Sequence, residues 1–137
     1  MRTALVTATA AALAAVFAAS ASARPATHIV IRHQMQGCHA WAVDSESFKA
    51  AQKINVVRGT TFTLVNNDVM PHTLLQISGP RLELVNTLLN HMGAKTTFTV
   101  TQPGTYRFRT KAGEDYKGME MKTVGKDNVL RLTVVVP

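Results

Sequence analysis

The chain has 137 residues, enough for one domain with a packed core. Its 15 Lys and Arg outnumber its 8 Asp and Glu, giving a formal net charge of +7 that is scattered along the chain, not gathered in a block. With few aromatic residues and no base-stacking motif, this argues against nucleic-acid binding and for attraction to acidic partners or an anionic surface. A single cysteine, Cys38, excludes an intramolecular disulfide.

Met1-Arg2 makes a positive start, Ala4 to Ala19 is an apolar run broken by Thr7 and Thr9, and Ala21-Ser22-Ala23 offers small residues to a signal peptidase. This is the layout of a signal peptide over residues 1–23. The run is too short and too rich in alanine to span a bilayer comfortably, and no later segment is long and apolar enough to do so. The expected mature domain is therefore residues 24–137, exported to the periplasm, with the extracellular space as the alternative. An exposed thiol there would oxidise, so Cys38 is expected to be buried, paired with another chain or held by a metal.

The mature chain reads as strands. His28 to Arg32 is short and β-branched, Cys38 to Val43 follows the interruption at Gly37, and Ile54 to Val57 ends at Arg58-Gly59. Thr60 to Val65 alternates Phe62 and Leu64 with threonines, and Asn66-Asn67-Asp68 breaks it. Thr73 to Ile77 ends at Ser78-Gly79-Pro80. Thr96 to Val100, then Tyr106 and Phe108 after a Pro-Gly turn, then Leu130 to Val136 continue the alternation expected of half-buried strands. About seven short strands separated by turn signals imply a sandwich or barrel. Two segments differ. Leu82, Val85, Leu88, Leu89 and Met92 have helical spacing, which predicts a short amphipathic helix near residues 81–92. Thr110 to Asn128 is long, polar and contains glycines, and is expected to be a functional or mobile loop.

The run Gly59 to His72 contains a turn glycine, an alternating strand, Asn66-Asn67-Asp68 and Pro71-His72. The run Phe98 to Phe108 adds a phenylalanine, Pro103-Gly104, Tyr106 and a second aromatic. Together they resemble the cupredoxins, the blue-copper fold family. The resemblance implies an all-β, Greek-key, cupredoxin-like β-sandwich. It also implies that His72 matches the family's upstream copper ligand. The residues agree with that on their own terms: Asn66, Asn67 and Asp68 can hold a turn by bonding local backbone, and Pro71 stiffens the approach to His72.

The chain departs from the family pattern where the other ligands belong. The family's cysteine position is Thr110, and no histidine follows in Lys111 to Met119, leaving Met119 where an axial methionine would lie. A substitute set of metal ligands is expected: His72 as anchor, Cys38 as the one available thiolate, then His39 and Met119. Thiolate, imidazole and thioether donors favour copper, Cu(I) above all, with zinc as an alternative. Since adjacent strand residues point to opposite faces, Cys38 and His39 can both ligate only if the chain bends near Gly37. His91 and Met92 are weaker candidates, Trp41 is expected to pack, and His28 and His33 read as surface residues. No nucleophile and base can be nominated, so no enzyme is expected. The leading function is an exported copper-binding protein that stores, carries or delivers the ion. Two alternatives are an atypical cupredoxin exchanging one electron with an acidic redox partner, and a metal-free module that binds another protein.

Overall fold

The computed structural model describes residues 25–34, 39–112 and 129–137. These form β1 (Ala26–His33), β2 (His39–Val43), β3 (Ala51–Asn55), β4 (Thr61–Asn66), β5 (His72–Ser78), β6 (Leu88–Leu89), β7 (Lys95–Thr99), β8 (Gly104–Ala112) and β9 (Val129–Val136). One sheet has the order β2-β1-β4-β7 and the other β3-β9-β8-β5-β6. β1 runs parallel to β4 and β3 parallel to β9, and the remaining pairs are antiparallel. The chain crosses repeatedly between the sheets, so sequence neighbours such as β3 and β4 lie in different layers. Among the described residues no helix is long and apolar enough to cross a membrane.

The alternation read from the sequence is the sandwich interior. Ile29 and Ile31 of β1, Phe62 and Leu64 of β4, Tyr106 and Phe108 of β8, and Leu130, Leu132 and Val134 of β9 all face one buried core. Phe62 stacks on Phe98 at 4.9 Å between ring centroids, and Phe98 meets Phe108 at 4.8 Å. Each large side chain so buried contributes about 1.5–3 kcal/mol relative to exposure. The Pro-Gly turn is tied by Tyr106, whose hydroxyl donates to the Gln102 carbonyl at 2.7 Å and accepts from the Gln102 N–H at 3.2 Å. Tyr106→Phe keeps the packing and removes both bonds. It is expected to cost about 1–2 kcal/mol, read as a lower urea midpoint with an unchanged slope.

No helix forms over residues 81–92; residues 81–87 carry no regular structure and Leu88–Leu89 is a short strand. Both periods fitted the sequence there, and the tertiary partners favour the extended chain. Leu82 and Leu84 alternate onto the core, while Val85, Leu88 and Met92 of the helical set are exposed. The Gln76 side chain donates to the Pro80 carbonyl and accepts from the Leu82 N–H, and Thr96 Oγ1 donates to the Val85 carbonyl. The Leu74 N–H takes the Thr87 carbonyl. These bonds supply what a helix would have supplied internally. β3 also starts earlier than the apolar pattern suggests, because Gln52 turns inward and its amide bonds the Trp41 and Ser47 carbonyls. Finally, Thr110 to Ala112 extend β8 and do not open the loop; residues 113–128 lie outside the described residues.

Candidate metal centre

The loop between β4 and β5 is built by its own polar side chains. Asn66 is fully buried. Its amide donates to the carbonyls of Met70 and Leu89 at 2.9 Å, and its carbonyl oxygen accepts the Asp68 N–H at 2.9 Å. Asp68 Oδ1 accepts the Met70 N–H at 3.0 Å. This is the turn-holding role expected of the Asn-Asn-Asp run. It leaves the second oxygen of Asp68 directed into the protein. The Asn67 N–H bonds the Ile31 carbonyl at 2.9 Å, which stitches the loop to the end of β1. There His33 and His39 face each other across the β1–β2 ladder.

Four side chains meet at this end of the sandwich. His39 Nδ1 lies 2.5 Å from Asp68 Oδ2. His72 Nε2 lies 3.5 Å from the same oxygen, without hydrogen-bond alignment. The rings of His39 and His72 meet edge to face at 5.2 Å, and those of His33 and His39 at 5.7 Å. One donor atom from each of His33, His39 and Asp68 falls within 4.8 Å of the others. His39, Asp68 and His72 are 2%, 1% and 0% exposed, whereas His33 is open to solvent.

Electrostatics sets the protonation states of His72 and Asp68. Burial first, and the neighbouring His39 second, push His72 down to about 4 against the opposing pull of Asp68. Burial alone would raise Asp68, but the Met70 N–H, the hydrogen bond to His39 and the charges of both histidines outweigh it and hold the carboxyl below its usual range. At neutral pH Asp68 is an anion and His72 a neutral imidazole, so a metal need displace no proton from either.

Two imidazole nitrogens, His39 Nε2 and His72 Nε2, are buried without a hydrogen-bond partner, as are Trp41 Nε1 and Arg109 Nε. Buried polar atoms are almost always satisfied, and leaving one bare costs about 1–3 kcal/mol. A bare His72 nitrogen 3.5 Å from an ionised carboxylate, next to an imidazole whose own Nε2 is bare, fits a cation. Imidazole and carboxylate donors suit Cu(II) and Zn(II).

Of the expected ligands, the structure brings His72 and His39 together. Cys38 and Met119 lie outside the described residues. His91 and Met92 are exposed, with His91 Nδ1 3.0 Å from the Met92 carbonyl, and His91 is not part of the His33–His39–Asp68 group. Trp41 is a core residue. Asp68 and His33 were not among the expected ligands. The signal for Asp68 was a carboxylate four residues ahead of His72, hidden because the turn accounted for it. His33, read as a surface residue, is exposed as expected but lies against His39. Thr110, at the family's cysteine position, faces inward with Oγ1 3.4 Å from His72 Nδ1. A concavity of about 560 Å³ over β1 and β2, lined by His28, Val30, Arg32, Asp44 and neighbours, contains none of the cluster.

No protein-family model matches the chain, and no curated protein matches it. Solved structures do. A variant of the multicopper oxidase McoA from the hyperthermophile Aquifex aeolicus superposes with a TM-score of 0.51 and 13% identity, over 82% of this chain and 26% of that one. The chain thus spans about a quarter of the oxidase's length, 26%. A purple cupredoxin from Nitrosopumilus maritimus gives 22% identity over 78% of this chain and 97% of its own, with a TM-score of 0.44. A Cu(I) form of an amicyanin variant gives 17% identity over 80% and 82%, with a TM-score of 0.40. The oxidase superposition carries the likeness; the other two overlaps are shallower and add nothing to it. What the chain shares with the oxidase is its fold, a cupredoxin-like β-sandwich.

Proposed function

We propose that this chain is an exported copper-binding protein that stores, carries or delivers the ion, and that it is not an enzyme. The observation that carries the reading is a buried cluster in which His39 Nδ1 and His72 Nε2 lie 2.5 Å and 3.5 Å from ionised Asp68 Oδ2, while His39 Nε2 and His72 Nε2 have no hydrogen-bond partner. His39, Asp68 and His72 would hold the ion, which would supply a positive charge to a buried carboxylate and a partner to the bare imidazole nitrogens. Cys38 and Met119 are proposed as additional soft donors; a thiolate bound to copper would account for a lone cysteine in an exported chain. Storage or carriage is favoured over electron transfer because a threonine hydroxyl stands beside His72 where the blue-copper pattern needs a thiolate. The test is a competition titration with Cu(II) and with Cu(I). One equivalent bound, with nitrogen couplings in the Cu(II) paramagnetic resonance spectrum, is expected. Failure to bind either state overturns the reading and leaves a protein-interaction module.

Export rests on Ala21-Ser22-Ala23. Sequencing of the native protein is expected to begin at Arg24, in the periplasm; a cytosolic product that retains Met1 would refute it.

An acidic partner, for metal transfer or redox exchange, is also proposed. None of the five strands of the β3-β9-β8-β5-β6 sheet contains an Asp or Glu. Arg107, Arg109, Arg131 and Lys53 fall at outward positions of its strands, with Arg109 opposite Arg131 in the ladder. Arginine forks on a flat face suit carboxylates of another protein.

A further inference from the structure

A centre whose donors are nearly sealed from solvent needs a route in. β1 ends at His33 and β2 begins at His39, and the ladder register sets the two side by side. Three imidazoles therefore run from solvent to core. His33 is exposed, His39 is 2% exposed and His72 is 0% exposed. Successive ring centroids lie 5.7 Å and 5.2 Å apart. Asp68 Oδ2 reaches both inner rings, at 2.5 Å and 3.5 Å. Two overlapping donor sets result. The outer set is His33, His39 and Asp68, whose donor atoms lie within 4.8 Å of one another. His72 stands inward of it, with Nε2 3.5 Å from the same Asp68 oxygen and its ring 5.2 Å from that of His39, so an inner set completed by His72 would share His39 and Asp68 with the outer one.

We propose that His33 is the entry ligand of this centre. A divalent copper ion is first held by His33, His39 and Asp68, then moves inward as its bond to a His33 nitrogen breaks and one to a His72 nitrogen forms. His39 and Asp68 stay bound throughout, so the ion never crosses the apolar interior without the carboxylate that balances its charge. The step is a ligand exchange; no electron moves and the ion keeps its oxidation state. Release to an acceptor retraces the route and ends at the only exposed donor of the four. This rests on the copper reading above.

The alternative is that His33 merely packs its edge on His39. Kinetics separates the two. A residue used only in transit changes capture and release in equal proportion and leaves their ratio, the dissociation constant, where it was. The metal-free protein is mixed with Cu(II) in a stopped-flow instrument, and capture is followed by quenching of Trp41, the only tryptophan, two residues from His39. Release is followed by adding excess EDTA. For His33→Phe, which keeps an aromatic edge, both rates are expected to fall by about 10-fold or more, with the dissociation constant within about 3-fold of wild type and the final paramagnetic spectrum unchanged. His33→Asn, a smaller side chain, should behave the same way. Unchanged rates overturn the proposal. So does slower capture with unchanged or faster release, which would make His33 an ordinary ligand of the final site. If the wild type binds neither Cu(II) nor Cu(I), the copper reading fails and the entry ligand with it; binding of Cu(I) alone, or binding of Cu(II) with normal kinetics in both variants, sinks the entry ligand alone.

Discussion

His72→Ala is expected to weaken Cu(II) binding by about 100-fold or more, beyond the 10–100-fold that loss of a group merely supporting a ligand costs. His39→Ala should do nearly the same, since it removes a donor and also the 2.5 Å partner of Asp68. Asp68→Asn keeps the shape but removes the charge that makes a buried cation tolerable, and it too should fall by about 100-fold. Thr110→Ala touches only the far nitrogen of His72, across 3.4 Å, and should cost less than about 10-fold. Competition against a chelator of known affinity measures all four, with far-ultraviolet circular dichroism confirming that each variant keeps its strands. If His72→Ala binds as tightly as wild type, the centre is wrongly placed. Cys38→Ser and Met119→Leu then divide the remaining readings. Loss of Cu(I) affinity in Cys38→Ser alone means a thiolate holds the reduced ion. A silent Cys38→Ser means that imidazole and carboxylate hold copper without it, which favours a carrier of Cu(II).

The sandwich was legible because its strands bury every second residue, and period 2 survives in sequence wherever one face is wet. Phe62, Leu64, Tyr106, Phe108 and the β9 leucines all declared themselves this way. The segment over residues 81–92 did not, because Leu82, Val85 and Leu89 satisfy a helix as well as Leu82 and Leu84 satisfy an extended chain. What decides between them is an amide and a hydroxyl, Gln76 and Thr96, from other strands. β3 was blurred by a buried glutamine for the same kind of reason. At the site, His72 was readable from its lead-in, and His39 from its type alone. Asp68 was concealed by doing two things at once: one oxygen closes the turn, which a local reading sees, and the other meets His39 across twenty-nine residues, which it does not. His33 depended on the β1–β2 register, which a sequence without a tight two-residue turn leaves open.

Without metal, the protein should be acid-labile in a window set by His72. An unfolded histidine titrates near 6.5, and in the fold His72 is pushed down to about 4. Between these values the unfolded chain binds a proton that the folded chain refuses, so stability falls as pH falls and rises as pH rises. The contribution is intact above pH 6.5, is lost progressively down to about pH 4, and amounts to about 3 kcal/mol over the whole span. Asp68, held below its ordinary value of 3.8, adds a further loss once the pH drops beneath that value. Urea titrations of EDTA-treated protein should therefore show a midpoint that drops steeply between pH 7 and pH 4.5. His72→Gln, which cannot titrate, should be less stable at pH 7 but flatter across the same window. Copper should shield the wild type, because an ion on His72 excludes the proton and binds only the folded state. A metal-free wild type whose midpoint is level from pH 7 to pH 4.5 would mean that His72 is not sealed in the core, and the case for a buried centre would fall with it.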